Sequence, residues 1–177
     1  MDWRMMGLYI IAPGGIQCGM NLEQAQISAI KAARAAGDII RAALDQTKKI
    51  DDKGATNNLV TETDRNAERT IVELLSRDCT DSDFMGEEGK YPDRGNRWLW
   101  VIDPLDGTTN FIKGLRWFSV SIGLWDREKA LPVLGVVLHP TSGELFRASL
   151  GKGAWLDEAD GQSRRLLVSQ TTDWTGC

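Results

Sequence analysis

The 177-residue sequence holds a single histidine, His139, which excludes any mechanism that needs two. Cysteine is nearly as scarce. Cys18, Cys79 and Cys177 are odd in number and show no Cys-x-x-Cys spacing, so neither a disulfide framework nor a zinc site is expected, and a reducing cytoplasm is the default location. There is no excess of positive charge: 21 Lys and Arg face 25 Asp and Glu, a net charge of −4, which argues against a nucleic-acid or anionic-membrane surface. No apolar run is long enough to span a bilayer. The run Met5–Ala12 stops at Pro13-Gly14-Gly15. It is not expected to be a signal peptide either, because Asp2 offsets Arg4 and no small-residue cleavage site follows. Internal repeats and low-complexity linkers are absent.

What remains is the composition of one globular domain, 42% apolar and 26% charged, with enough chain for a real core. Residues 1–20 differ in character from the rest and read as an extension, with Met20 as the expected natural start, because the first helix signal begins at Asn21. Asn21 is placed to cap a helix, with Gln24 at the capping-box position. Ile27, Ile30, Ala33, Gly37, Ile40 and Leu44 then recur at three- and four-residue steps, the pattern of an amphipathic helix of about six or seven turns. Gly37 weakens that helix but admits a close neighbour. Lys48–Asn58 is polar, with Gly54 and Asn57-Asn58, and reads as a loop. Leu59–Asp64 leads into a second helix with Thr61 and Asp64 as a capping box and a stripe of Ala67, Ile71, Leu74 and Leu75. Asp64 has two compatible readings, helix cap and water-orienting base.

The second half of the chain reads as strands. Trp117–Trp125 alternates around Phe118, Val120, Ile122 and Leu124. Leu131–Leu138 is a Val/Leu run broken by Gly135, and Glu144–Leu150, Gly153–Leu156 and Arg165–Val168 are further candidates. Two helices followed by short strands with turns between them predict an α+β fold, two N-terminal helices packed on a mostly antiparallel sheet.

The stretch Trp98–Phe111 carries the chemistry. Five large apolar residues, Trp98–Ile102, read as a buried strand. Pro104 and Gly107 then end the strand and force a turn bearing Asp103 and Asp106. In the bland reading both acids are solvated turn residues. In the other they share a hard cation. Magnesium suits this, since it takes one or two carboxylates together with waters and phosphate oxygens. Gly107 would let a phosphate approach the backbone. A second acidic site, Asp83–Gly89, follows a short Phe84-Met85 strand, and Lys90–Arg97 is a polar loop.

Asp103-Pro104-Leu105-Asp106-Gly107-Thr108-Thr109-Asn110-Phe111 resembles the signature of the inositol monophosphatase family, and Lys53, Thr61–Asp64 and Gly86-Glu87-Glu88 stand in the family's order and spacing. The resemblance runs from Asn21 to the end. It implies the N-terminal half of a layered sugar-phosphatase fold of the magnesium-dependent, lithium-sensitive type, a phosphate monoester substrate and a homodimer. It implies that Glu87 and Asp103 bind a first Mg2+ with the carbonyl of Leu105, that Asp103 and Asp106 bind a second, and that Glu88 stands behind them or binds a weaker third ion. Asp64 and Thr108 would orient the attacking water, with Glu87 beside it. The family also carries a lysine at the position of Lys53. The N–H groups of Gly107, Thr108 and Thr109 would hold the phosphate, and no covalent phosphoenzyme is implied. Five acids in one cleft need cations: two like charges 4 Å apart repel by about 4 kcal/mol at an effective dielectric near 20.

Two departures stand out. Arg116-Trp117-Phe118 occupies a place where the family often has a proline and a phenylalanine. The chain also lacks the second half of the family's length, with its Trp-Asp motif; Asp173-Trp174 is in reversed order and in the wrong place. Three functions follow as expectations. The first is hydrolysis of a phosphate monoester, most of all inositol monophosphate, since Thr109-Asn110-Phe111 leans toward the inositol branch. The second is a catalytically weak metal-binding or interaction subunit. The third is a related fructose-1,6-bisphosphatase or 3′-nucleotidase type of phosphatase.

Overall fold

The protein is described by a computed structural model over residues 20–47 and 53–171, the side chains of 45–59 and 61 excepted. Of the expected N-terminal extension, residues 1–20, all but Met20 lie outside the described residues, and Met20 packs against the core. The elements run α1 (Leu22–Thr47), α2 (Lys53–Asp78), β1 (Ser82–Gly86), β2 (Trp98–Asp106), α3 (Thr108–Ile112), β3 (Ser119–Asp126), β4 (Leu131–Leu138), β5 (Leu145–Ser149), β6 (Gly153–Asp157) and β7 (Ser163–Leu166). The strands form one seven-stranded sheet in sequence order; β1 and β2 pair parallel, and every later pair is antiparallel. Two long helices pack on one face of this sheet, which is the α+β arrangement the pattern predicts. Among the described residues no helix is long and apolar enough to cross a membrane.

The start of α1 follows its sequence signal. The Asn21 side-chain oxygen accepts from the N–H groups of Glu23 (3.0 Å) and Gln24 (3.3 Å), which would otherwise lack partners. The buried stripe is built from small residues, Ala25, Ala29, Ala32, Ala33 and Ala36, continued by Ile40 and Leu44. Ile27, expected on that stripe, is 54% exposed. It lies off the row that alanine spacing defines, and close packing selects the small side chains. Gly37 sits where a Cβ would come within 2.7 Å of Leu138 on β4, so α1 touches the sheet there backbone to side chain.

Three expectations are corrected. Residues 53–58 are helical, not loop, because α2 begins at Lys53. Val60 belongs to the core cluster with Ala67, Ile71 and Leu75, so the apolar stripe of α2 starts before Asp64, and packing overrides the local breakers Gly54 and Asn57-Asn58. Asp64 therefore lies in the third or fourth turn, buried at 4% exposure, and does not cap the helix. The third correction is to β2. It continues past Pro104 to Asp106, with a register shift against β3 between Asp103 and Asp106 that absorbs the missing proline donor. The strand is also buried on one face only. Trp100 and Ile102 face the core, while Val101 is 41% exposed. Met85, Val101, Val137 and Phe146 all lie on that open face of the sheet.

The polar loop between β1 and β2 is held from below by Asp83. Its buried carboxylate accepts from the N–H groups of Arg94 (3.2 Å) and Asn96 (2.9 Å), the Asn96 amide (3.0 Å) and the Arg127 guanidinium (2.8 Å). Asp83→Ala is expected to destabilise the fold by about 2–3 kcal/mol, because it leaves the Arg94 and Asn96 N–H groups and the Asn96 amide without their acceptor, while Arg127 keeps Asp93 and the Asn96 carbonyl. Urea unfolding with an unchanged m-value is the check.

Candidate metal and phosphate site

The site forms where the parallel pair β1–β2 ends. Gly86 is the last residue of β1 and pairs with Ile102, so Glu87 leaves the sheet beside Asp103, which stays in β2 and pairs with Ser121 of β3. α2 crosses this end and brings Asp64. Its charge is felt together with those of Glu88, Glu87 and Asp103, and Asp103 in turn faces Glu87 and Asp106. The residues singled out from sequence are thus gathered as Asp64 with Glu87, Glu88 and Asp103, with Asp106 close enough to Asp103 for its charge to act there.

Crowding and burial leave clear marks. Burial, then the neighbouring Glu88, Glu87 and Asp103, push the Asp64 carboxyl up to about 7. Burial, then Glu87 and Asp106, push Asp103 up to about 6, partly offset by a hydrogen bond from the Leu105 N–H. One oxygen of each, Asp64 Oδ1 and Asp103 Oδ1, is buried with no hydrogen-bond partner. Buried carboxylate oxygens without a donor are costly, and here they sit in a ring of further acids. Arg65 reaches Glu88 at 3.5 Å from the exposed rim.

The donor set suits a hard divalent cation. It is all oxygen, and the two unpartnered oxygens belong to Asp64 and Asp103. Among the described residues no three acidic, histidine or cysteine side chains form a closed cage as they stand. For magnesium this is no contradiction, because such an ion completes its shell with waters and substrate oxygens rather than with protein alone.

The turn after β2 supplies the other half of the site. Gly107 has φ 93°, the left-handed region, and precedes the short helix α3. A Cβ there would lie 2.9 Å from the Trp117 carbonyl and 3.3 Å from Phe118, so glycine is required twice over. Thr108 donates its hydroxyl to the Leu105 carbonyl at 3.0 Å. Thr109 is exposed, and the Asp106 carboxylate accepts a long hydrogen bond, 3.4 Å, from the Ser119 hydroxyl. Lys53 is the first residue of α2, and its side chain, like that of Thr61, lies outside the described part.

The structure adds residues that sequence reading missed. Glu68, four residues after Asp64 and on the same face of α2, is 1% exposed and bonded to the Glu88 and Gly89 amides. The available signal was spacing: Asp64, Glu68, Ile71 and Leu75 recur at three- and four-residue steps, on the side of α2 that carries the buried Ile71 and Leu75. At the mouth, a cavity of about 300 Å3 is lined by Asp106, Gly107, Asn110, Trp117 and His139. Trp117 is 75% exposed and leans on the His139 ring, whose two nitrogens lie at 2.7 Å from the Ser142 hydroxyl and 2.8 Å from the Arg116 carbonyl. The departure at Arg116-Trp117 is therefore tied to the one histidine, a pairing no local window of sequence exposes.

The chain is similar in sequence and fold to known proteins. The sequence model of the inositol monophosphatase family matches residues 21–176. Inositol monophosphatase 2 of Solanum lycopersicum is 45% identical over 134 residues, 73% of this chain and 49% of its own length. The Nus factor SuhB of Pseudomonas aeruginosa is 43% identical over 146 residues, 80% of this chain and 51% of its own. Among solved structures, the inositol monophosphatase of Anabaena superposes with a TM-score of 0.70 at 34% identity, covering 87% of this chain and 53% of that one. The chain spans about half the length of the curated relatives it matches.

Proposed function

The chain belongs to the inositol monophosphatase family, and from that premise we propose that it carries the metal- and phosphate-binding half of a magnesium-dependent phosphate monoesterase, with inositol monophosphate as the first substrate to test. The observation that carries the reading is the pair of buried, unpartnered oxygens on Asp64 and Asp103, set beside a left-handed glycine turn. Glu87, Asp103, Asp106 and the Leu105 carbonyl would hold the ions, with Glu88 behind them. Bound there, magnesium would neutralise the acids, lower the pKa of water and stabilise charge on the phosphoryl oxygens.

The protein's own groups do the rest. Asp64, buried beside Glu88, Glu87 and Asp103, is placed to take a proton from the water. Thr108 aligns that water while its hydroxyl stays anchored on the Leu105 carbonyl. The N–H groups of Gly107, Thr108 and Thr109, at the open first turn of α3, would bind the phosphate. Lys53 would add a positive charge. Uncatalysed hydrolysis of such esters is among the slowest reactions known, so even a partial site would give a measurable gain.

A second reading is favoured by the open sheet face with Met85, Val101, Val137 and Phe146 exposed. An apolar face of this kind suits a chain completed by another unit, either a second copy or the rest of a longer protein. In that form the chain is a metal-binding interaction subunit. Calorimetric titration of Mg2+ into the 177-residue chain, with an inositol 1-phosphate assay on the same sample, separates the two. Binding with turnover supports the monoesterase. Binding without turnover supports the subunit. Absence of binding refutes both.

A further inference from the structure

We infer that Glu68 is the positioning residue that sets the Glu87-Glu88 loop against Asp64 and Asp103. The inference rests on the metal-site reading above. Glu68 is 1% exposed and accepts three hydrogen bonds, all from one short segment. Oε1 takes the Gly89 N–H at 2.7 Å and the Tyr91 hydroxyl at 2.8 Å, and Oε2 takes the Glu88 N–H at 3.0 Å. Bonds to an ionised acceptor are shorter and stronger than neutral ones, so this carboxylate fixes the backbone of the very residues whose side chains face the cleft.

The loop is shaped to wrap it. A Cβ on Gly86 would fall 2.5 Å from the Glu68 carboxylate, and one on Gly89 would fall 2.6 Å from its Oε1. The two glycines bracket Glu87 and Glu88, so the backbone closes on Glu68 from both sides with no room for a side chain. Nor is the position neutral in charge. Glu68 adds to the negative field on Asp64. An anchor chosen for stability alone would not add a carboxylate to a cluster of acids. Its spacing explains it: Asp64 and Glu68 project from successive turns of one helix face, so a single rigid element aligns the water-orienting carboxylate directly and two more carboxylates through the loop.

The test uses amide hydrogen exchange and Mn2+ titration on the 177-residue chain. Glu68→Gln is nearly isosteric but turns one acceptor into a donor, so an NH2 group meets either the Glu88 amide or the Gly89–Tyr91 pair. At least a tenfold faster exchange at Glu88 or Gly89 is expected, with α1 amides within twofold of wild type and Mn2+ affinity at least tenfold weaker. Tyr91→Phe removes one donor and leaves both amide bonds, so it should keep the protection and weaken Mn2+ binding by less than threefold. Unchanged exchange in Glu68→Gln overturns the inference, as does Tyr91→Phe matching it in full. If wild type takes up no Mn2+, the metal-site reading fails, while the exchange data still decide whether Glu68 holds the loop.

Discussion

Asp103→Asn is expected to raise the melting temperature of the metal-free protein at pH 8 while weakening Mg2+ affinity by about a hundredfold and abolishing any phosphate hydrolysis. The two effects have one cause. Asp103 faces Glu87 and Asp106, and one of its oxygens is buried without a donor. Without an ion, the charge on that carboxylate is a liability, and its removal should be worth about 1–2 kcal/mol after allowance for screening by solvent. For a chain of this size that is about 3–6 °C. With an ion present, the same carboxylate would be one of its ligands and its charge would be offset. A mutation that stabilises the empty protein and removes the gain from Mg2+ marks a functional site set against stability. Thermal melts of both proteins, with and without Mg2+, check it. A loss of stability in the metal-free variant would mean that Asp103 is a structural residue.

The second large effect is on pH. The carboxyls of Asp64 and Asp103 are pushed up to about 7 and about 6, chiefly by burial and then by their acidic neighbours, from 3.8 in an unperturbed chain. A carboxyl raised in the folded state favours folding when it is protonated. That stability is fully present below pH 4. It is lost as pH climbs through the folded values, so between pH 4 and pH 8 these two groups together should remove about 2–4 kcal/mol. They share neighbours and titrate together, so the losses are not simply additive. The metal-free protein should therefore become less stable from pH 5 to pH 8 by this contribution. Saturating Mg2+ should flatten or reverse the slope by holding both groups ionised. Asp64→Asn should halve the slope without Mg2+. A slope unchanged in that variant would show that Asp64 is not part of the cluster.

Much of this could be read from the chain itself. The Asn21 cap, the alternation of Phe118, Val120, Ile122 and Leu124, and the strand patterns through Gly153–Asp157 depend on neighbours a few residues away, and so local periodicity exposes them. The acids at Asp64, Glu87, Glu88 and Asp103 could be named for the same reason, since each stands beside a glycine, a proline or a threonine in a short recognisable pattern.

Other features are set by contacts between distant segments. Asp64 falls deep within α2 because Val60 is drawn into the core, which lengthens the helix backward over residues that alone read as loop. β2 runs through Pro104 because β3 offers a partner on either side of a register shift. Ile27 is outside because the alanine row, not the larger isoleucine, lets α1 approach its neighbours closely. Glu68 looks like one more surface charge until the loop 20 residues later folds over it. His139 and Trp117 meet across 22 residues to make the wall of the mouth. The sequence by itself determined which chemical groups the protein has and which elements carry them. Only the tertiary structure decided which carboxylates lose water and hydrogen-bond partners together, because burial and mutual repulsion are properties of segments brought into contact and of no segment alone.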